Sequence, residues 1–539
     1  MRDLSTEPDG ARHWTGDAGP AALVVGAGMG GLAAAMRLSH AGWRVTVLDR
    51  LDMVGGRASS ITSRGHRFDL GPTILTAPDV FRRLFAECGR DFDAEVPTAA
   101  LDPFYTIRWP DGSKLDARAT PAGMEAEVRR LAPGDLDGWR RFQRDAEARY
   151  AVGYEGMLTR PMHHPWETVR VLPRFAMLRA DRSIYKLAAA RVRDHRLRMA
   201  LSFHPLFIGG DPTRVTSMYA LVSHLEAKAG VHYVMGGVGA LAQAMARAVT
   251  DMGGVIRTRT EVDRILTGPG GAVRGVRLTD GEELGADIVV SNADPGHLYG
   301  RLLPARRRWS KRRLARAKLS MGLFVWHFGT RGTRGLWPDA GHHTILSGPR
   351  YRGLLADVFR TGHLADDMSL YVHRPSVTDP SAAPPGDDTF YALSPVPHLR
   401  HPDRVNWSDM AERYRARVQA VLEDRLLPGL GARITASMCM TPEDFRDRYL
   451  SPYGAGFSLE PRILQSAWFR PHNVSEEAPG LYLVGAGTHP GAGLPGVVAS
   501  AEVLMQVVPA LPRRTAPTAD PAADPAPGPA RTRMLEAGE

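Results

Sequence analysis

Glycines at 26, 28 and 31 follow directly on the apolar stretch Leu23-Val24-Val25, and Asp49 stands at the end of the next apolar stretch, Val45 to Leu48. This spacing suits a chain that holds a dinucleotide. Gly26 permits a tight turn, Gly28 lets the backbone approach a pyrophosphate, and Gly31 lets a helix pack closely on its strand. Asp49 would accept hydrogen bonds from a ribose, and the N-terminus of the helix that opens at the turn favours the negative charge of phosphate. Val54-Gly55-Gly56-Arg57 then offers a second backbone turn at Gly56 and a guanidinium at Arg57 able to bind bidentately. Gly71-Pro72-Thr73 reads as a further turn beside the ligand. A second glycine-rich turn, Val484 to Val497, follows the strand-like Leu481-Tyr482-Leu483-Val484 and leads into a helical pattern. On these residues alone the dinucleotide is either NAD or FAD.

The elements that must position these residues are legible in outline. Ala21 to Arg50 reads as strand, glycine turn, helix and strand, with small residues from Gly30 to Ala35 allowing close packing and Gly42 ending the helix. From about Phe92 to Ala229, amphipathic helical patterns predict a separate, mostly helical region. Leu241, Met245, Ala248 and Met252 recur at helical spacing. After them come strand-like VIRTRTEVDRIL and AVRGVRLTDGEELGADIVVSNA, the second carrying an Asp280-Gly281 turn. ILSGPR, MSLYVHR and TFYALSPV are the expected strands between Arg312 and Pro471. The Pro/Ala-rich end reads as an unstructured tail and the opening twenty residues as a flexible leader without a secretory signal.

The 539-residue chain has a composition ordinary for a large globular enzyme and carries a formal net charge of +10. Two cysteines, Cys88 and Cys439, with no CxxC pair and no cysteine–histidine metal spacing, predict a reducing compartment and neither disulfide nor metal. Basic residues gather in Arg306 to Lys318 and interleave with apolar ones from Val169 to Met199, a pattern that suits either a solvated basic helix face or an interfacial surface. No stretch approaches the ~20 apolar residues of a spanning helix, so any membrane contact should be peripheral. No recognised nucleic-acid module accompanies the charge, and acidic lipid is the expected partner instead.

VVGAGMGGLAAAMRL, VGGRASS, HRFDLGPTILT, ALSFHPLFIGGDP, SPYGAGFSLEP, QSAWFRPHN and VGAGTHPGAGLPGV, in this order from about Ala21 to Val508, together resemble the bacterial and fungal phytoene desaturase family within the amine-oxidase-like flavoproteins. The resemblance implies an α/β fold of the p-hydroxybenzoate-hydroxylase or amine-oxidase type. It would comprise a discontinuous FAD-binding domain (21–91, 230–305 and 472–509), a helical substrate and membrane-binding region (92–229) and a substrate-binding domain (306–471), between a leader (1–20) and a tail (510–539). It implies FAD as cofactor, with Pro72 and Thr73 at the flavin edge and the backbone around Glu261 and Val262 on the adenine. The second turn would cross the same cofactor, with Gly487 and Thr488 near its ribityl or phosphate part. Gly496 and Val497, at a helix start, would place N–H groups by the flavin's pyrimidine edge. Glu167 and Arg170 resemble a family segment carrying an acid, typically Asp, and an arginine three residues on. At that spacing they form either a catalytic pair or a surface ion pair.

What the resemblance implies of activity is successive dehydrogenation of 15-cis-phytoene to neurosporene or lycopene at the cytoplasmic side of a membrane. Hydride would pass to the flavin and electrons onward to quinone or dioxygen. Another carotenoid oxidoreductase (a 3,4-desaturase, isomerase or ketolase) and a non-catalytic flavin or carotenoid binder are the alternatives. A hydrocarbon offers no polar handle, so its binding must come from burial, at ~25 cal/mol per Å² of apolar surface. Ser202 to Gly210 and Ser320 to Gly329 are expected walls or core strands, and His204, within the first, is a further candidate.

Overall fold

The uninterrupted apolar run of Ala21–Val25 becomes the centre of a five-stranded parallel sheet in the order Leu481–Leu483, Ile288–Ser291, Ala21–Val25, Arg44–Leu48, Val255–Arg257. A strand buried on both faces reads as continuous rather than alternating hydrophobicity, as this one does. The structure, a computed structural model, describes residues 19–303 and 308–511. The expected leader up to residue 18, the tail beyond Leu511 and the start of the basic run at Arg306 lie outside the described residues.

Three helices with small faces cover this sheet: Met29–His40, Val238–Asp251 and Leu494–Met505. The first is buried along almost its whole length and packs on the other two. Its Gly30 is the point of closest approach to the far end of the chain. A Cβ there would stand 3.0 Å from Gly485 Cα and 2.7 Å from Asn292 Oδ1.

A seven-stranded sheet forms the second layer, in the order Ile434–Met440, Gly322–Thr330, Asp388–Val396, Leu370–His373, His343–Leu346, Thr106–Arg108, Lys114–Asp116. Its pairs are antiparallel apart from His343–Leu346 against Thr106–Arg108. One face carries Phe324, Trp326, Phe328 and Phe390 and is sealed by the helix Trp407–Arg425. The opposite face, with Leu323, Val325, Tyr371 and Tyr391, turns toward the cavity described below.

The structure departs from the sequence expectation in two places. The region 92–229 is not wholly helical, since Thr106–Arg108 and Lys114–Asp116 form a hairpin that extends the seven-stranded sheet. Its turn is closed by Gly112 N–H donating to Trp109 O (3.1 Å), with Gly112 at φ +81°. The signal was present in Pro110-Asp111-Gly112, whose Asp-Gly pair favours such turns, but its flanking strands are too short to show a period. The expected strand VIRTRTEVDRIL is likewise two strands of different sheets, Val255–Arg257 and Val262–Thr267. Between them Arg259 N–H and Thr260 N–H donate to Leu51 O and Asp49 O, both at 2.8 Å, pulling the chain back across the end of the parallel sheet.

Replacing Gly30 with valine is expected to lower stability by roughly 1–3 kcal/mol, the usual cost of overpacking, because a Cβ there meets the Asn292 side chain and, just behind it, the backbone of Gly485. The melting midpoint and the cofactor retained on purification should fall together. An unchanged midpoint would show that the two turns are not in contact.

Candidate active site

A cavity of about 820 Å³ lies between the parallel sheet and the seven-stranded sheet. Gly26, Gly28, Asp49, Gly56, Arg57, Pro72, Thr73, Val262, Gly496 and Val497, all expected at the ligand, line it. Gly26 N–H donates to Leu48 O (2.7 Å) and Gly55 N–H to Ala27 O (2.8 Å), so the first turn is tied to the end of the neighbouring strand and the Gly55-Gly56 turn to the first turn. Asp49 is buried. It accepts from Ala27 N–H (2.7 Å) and Leu51 N–H (2.8 Å), and burial raises its carboxyl above the usual range against those bonds and against Arg50 and Arg448.

Three guanidiniums that line the cavity, those of Arg50, Arg57 and Arg448, each bury an Nε without a hydrogen-bond partner among the described residues. Arg57 donates through Nη2 to Ser451 Oγ (2.8 Å), and burial lowers its pKa from the ordinary guanidinium value. Partly buried guanidiniums with unused Nε donors around a glycine turn and a helix N-terminus fit a pyrophosphate, which accepts charge-assisted hydrogen bonds in pairs. The residues therefore fit a bound dinucleotide. Sequence reasoning named Arg57 but missed Arg50 and Arg448. Arg50 follows Asp49 directly and could have been found, whereas Arg448 reaches the site only through the fold.

Gly31, Gly487 and Thr488 do not line the cavity. A Cβ at Gly31 would stand 2.0 Å from Gly26 O, so this glycine serves the contact of helix with strand. Gly487 and Thr488, expected at the ribityl or phosphate part, instead face the protein interior. A Cβ at Gly487 would lie 2.2 Å from Pro295 Cδ, and Thr488 is fully buried. The turn is fixed by Arg470, a buried residue that sequence reasoning passed over within QSAWFRPHN. Its Nη2 donates to Ala486 O (2.6 Å), its Nε to Thr488 O (3.2 Å) and its Nη1 to Gln465 O (3.3 Å). Ala486 and His489, on either side, face the cavity instead. His489 pairs through Nε2 with Arg160 O (2.9 Å), and burial brings its pKa down to about 4. At the helix start, Val497 N–H is already given to Gly493 O (2.9 Å), which leaves Gly496 ahead of the first intrahelical bond as the free donor of the expected pair.

Glu167 and Arg170 are not brought to the cavity. They form an i,i+3 ion pair (3.5 Å) on the outside of the helix Pro165–Met177, where Arg170 also lies over the Trp166 ring. The same helix turns Thr168, Val171, Leu172 and Phe175 inward, so its register decides which residues meet a ligand. Leu172 and Leu464 line the cavity and yet are 51% and 69% exposed, which marks its opening to the outside. Elsewhere the walls are largely hydrocarbon and aromatic, including Phe203, Phe207 and Leu323 from the two stretches expected as walls. His204 belongs to the wall too, with Nε2 at 3.2 Å from Glu226 Oε2 and from Tyr105 OH.

Arg57→Met and Arg448→Met should each weaken FAD binding about tenfold or more, the value of a charge-assisted hydrogen bond at ~1.5–3 kcal/mol. Titration of the apoprotein with FAD measures this. Glu167→Gln should leave both FAD affinity and turnover within about twofold, as expected for an exposed ion pair worth ~0–1 kcal/mol, and a hundredfold loss of turnover would restore Glu167 as a catalytic group.

Comparison with known proteins agrees with this geometry. The family described as flavin containing amine oxidoreductase matches residues 29–502. A phytoene desaturase (neurosporene-forming) of Cereibacter sphaeroides is 62% identical over 494 residues, 91% of this chain and 95% of that protein. A phytoene desaturase (lycopene-forming) of a Paracoccus species is 42% identical over 489 residues, 90% of this chain and 97% of that protein. Among solved structures, a putrescine oxidase variant superposes with a TM-score of 0.60 at 16% identity, over 90% of this chain and 97% of its own, a likeness of fold. With its paired glycine turns and its cluster of half-buried arginines on one apolar cavity, the chain belongs to the phytoene desaturases of the flavin-containing amine oxidoreductase family, and its cofactor is FAD.

Proposed function

We propose that this chain dehydrogenates phytoene in successive steps, with neurosporene as the main end product. The observation that carries the reading is the single cavity in which the dinucleotide cradle of Gly28, Asp49 and Arg57 continues into hydrocarbon walls. A ligand there is held by burial and not by polar contacts, as an unfunctionalised polyene requires. Bound FAD supplies the oxidant, accepting the hydride that leaves the substrate carbon. The chain's own residues orient and isolate the reaction. Arg50, Arg57 and Arg448 anchor the phosphates, the Gly496 N–H supports the far edge of the cofactor, and Phe203, Phe207 and Leu323 exclude water from the reacting carbons. Neurosporene is favoured over lycopene because the 62% identical relative is neurosporene-forming and the lycopene-forming one is only 42% identical.

The substrate enters from a membrane at the opening beside Leu172 and Leu464. Trp166, Val169, Leu172 and Met177 on one helix and Ile463 and Leu464 beside it are exposed apolar side chains at one rim, with Arg170, Arg174 and Arg179 among them. Apolar side chains flanked by arginines suit the interface of an anionic leaflet such as the cytoplasmic one. No helix among the described residues is long and apolar enough to cross a membrane. Electrons leave to a membrane quinone or to dioxygen.

Purified protein given phytoene in liposomes is expected to accumulate neurosporene, read from the absorption of the separated products. Lycopene as the dominant product would overturn the end-point, and unchanged phytoene in the presence of bound FAD would overturn the activity. The double variant Trp166→Asp, Leu464→Asp should keep FAD yet lose vesicle flotation and at least tenfold in turnover on vesicle-borne substrate. Unaltered flotation would place the membrane contact elsewhere.

A further inference from the structure

Each new double bond requires two hydrogens to leave adjacent carbons, one as a hydride and one as a proton. The hydride leaves to the flavin, while the proton must cross a wall built mostly of hydrocarbon. One polar path leads through that wall. Thr73 and Tyr371 line the cavity, with Thr73 Oγ1 and Tyr371 OH 2.5 Å apart, and the same phenol lies 2.7 Å from His343 Nδ1. His343 forms a buried trio with His342 and His373, one nitrogen of each lying within 4.8 Å of the others. Beyond it, His373 Nε2 stands 3.2 Å from His342 Nε2, and His342 Nδ1 lies 2.6 Å from Thr378 Oγ1. Thr378 is half-buried beside the exposed Val377, so the far end of the path reaches the surface.

Strand geometry places these groups together. His343 pairs with His373 and His373 with Tyr391 across neighbouring strands, and the two-residue period puts Tyr371 and His373 on one face of the sheet. The opposite face holds the aromatic core under Trp407–Arg425, where polar groups would be costly. The break in the path is at His343 Nε2, which is buried and has no partner among the described residues. One nitrogen of His343 lies within 4.8 Å of one on each of the other two imidazoles, a separation that one bridging water spans. The charged groups facing the trio are Asp379, toward His342, and Arg67, toward His373, themselves ion-paired at 2.5 Å, and the Tyr233 ring packs 4.7 Å from His342. Burial keeps the three imidazoles neutral, with His342 down to about 3 and the other two well below the ordinary value. A neutral imidazole accepts a proton on one nitrogen and gives one up from the other.

We propose that Thr73, Tyr371, His343, His373, His342 and Thr378 form the outlet by which the proton of each dehydrogenation leaves the cavity. The proposal rests on the desaturase reading above. Loss of the hydride leaves a cationic polyene whose neighbouring C–H bond gives its electron pair to the new double bond. The freed proton enters at the Thr73 and Tyr371 hydroxyls as the phenolic proton moves to His343 Nδ1, and one proton passes from Nε2 through the other two imidazoles to Thr378 and water. After each passage every group regains its starting charge, each imidazole carrying its proton on the opposite nitrogen until the hydrogen-bonded chain reorients for the next. Tyr371 and the histidines relay the proton and form no bond to the substrate or the cofactor.

The test uses FAD-loaded protein mixed anaerobically with phytoene vesicles and a bulk pH indicator, following flavin bleaching and proton appearance together. In the unaltered protein the two should keep pace. Tyr371→Phe and, at the outer end, Thr378→Val should retain FAD and melting midpoint while proton appearance lags bleaching by tenfold or more. Tyr414→Phe, which removes a buried phenol bonded to Ser394 on the other face of the sheet, should show no lag. Proton appearance that keeps pace with bleaching in both outlet variants would overturn the proposal. So would a lag confined to Glu226→Gln, which would assign the outlet to the buried Tyr105, His204 and Glu226 group, or a stoichiometric metal ion held by the three histidines. Absence of bleaching in the unaltered protein would overturn the desaturase reading itself, and the outlet with it.

Discussion

The contact on which the site depends is made by backbone. Asn292, at the end of Ile288–Ser291, lies between the first and second glycine turns, and a Cβ at Gly28, Gly30 or Gly485 would each fall within 2.8 Å of its side-chain amide. Only glycine at these positions lets strands that are distant in sequence end side by side. Gly30 and Gly485 then touch directly, and two turns more than four hundred residues apart become adjacent parts of one wall. Arg470 completes the arrangement by holding the carbonyls of the second turn from behind, spending a buried guanidinium on main-chain geometry.

This arrangement explains why the sequence was informative in some places and silent in others. The first turn and its strands were legible because the glycine spacing and the apolar runs are local, and the helix Val238–Asp251 because its period is regular. The second turn was legible as a turn, but which of its residues meet the ligand was not. A Cβ at Gly487 would meet Pro295 and Thr488 is fully buried, whereas Ala486 and His489 line the cavity, an alternation fixed by partners elsewhere in the chain. Glu167 and Arg170 show the same limit. Their spacing was read correctly as helical, but rotation about the helix axis, set by packing on Ala467–Phe469, turns Thr168 and Val171 inward in their place. The strands Thr106–Arg108 and Lys114–Asp116 were missed because three residues show no period, and the strand that joins their hairpin to the sheet, His343–Leu346, lies more than two hundred residues away.

The cavity combines two environments that ordinarily oppose each other. Arginines drawn partly out of water need an anion to offset their desolvation, whereas a polyene needs walls that offer it nothing polar. Placing the arginines at the ends of the parallel strands and the hydrocarbon walls on the seven-stranded sheet and the helix Pro165–Met177 separates the two while leaving one continuous space. The polar groups that interrupt the hydrocarbon wall, Tyr371 with His343 and Glu226 with His204, are bonded to one another.

The central claim is that both glycine turns hold one FAD. Its most direct measurement is a crystal structure of the FAD-saturated protein. The account predicts density for the pyrophosphate against the Gly28 turn within hydrogen-bonding distance of Arg57, with the flavin ring reaching the Gly496 N–H at the start of Leu494–Met505. A cofactor that contacts the first turn and leaves Gly496 in contact only with protein or solvent would contradict it.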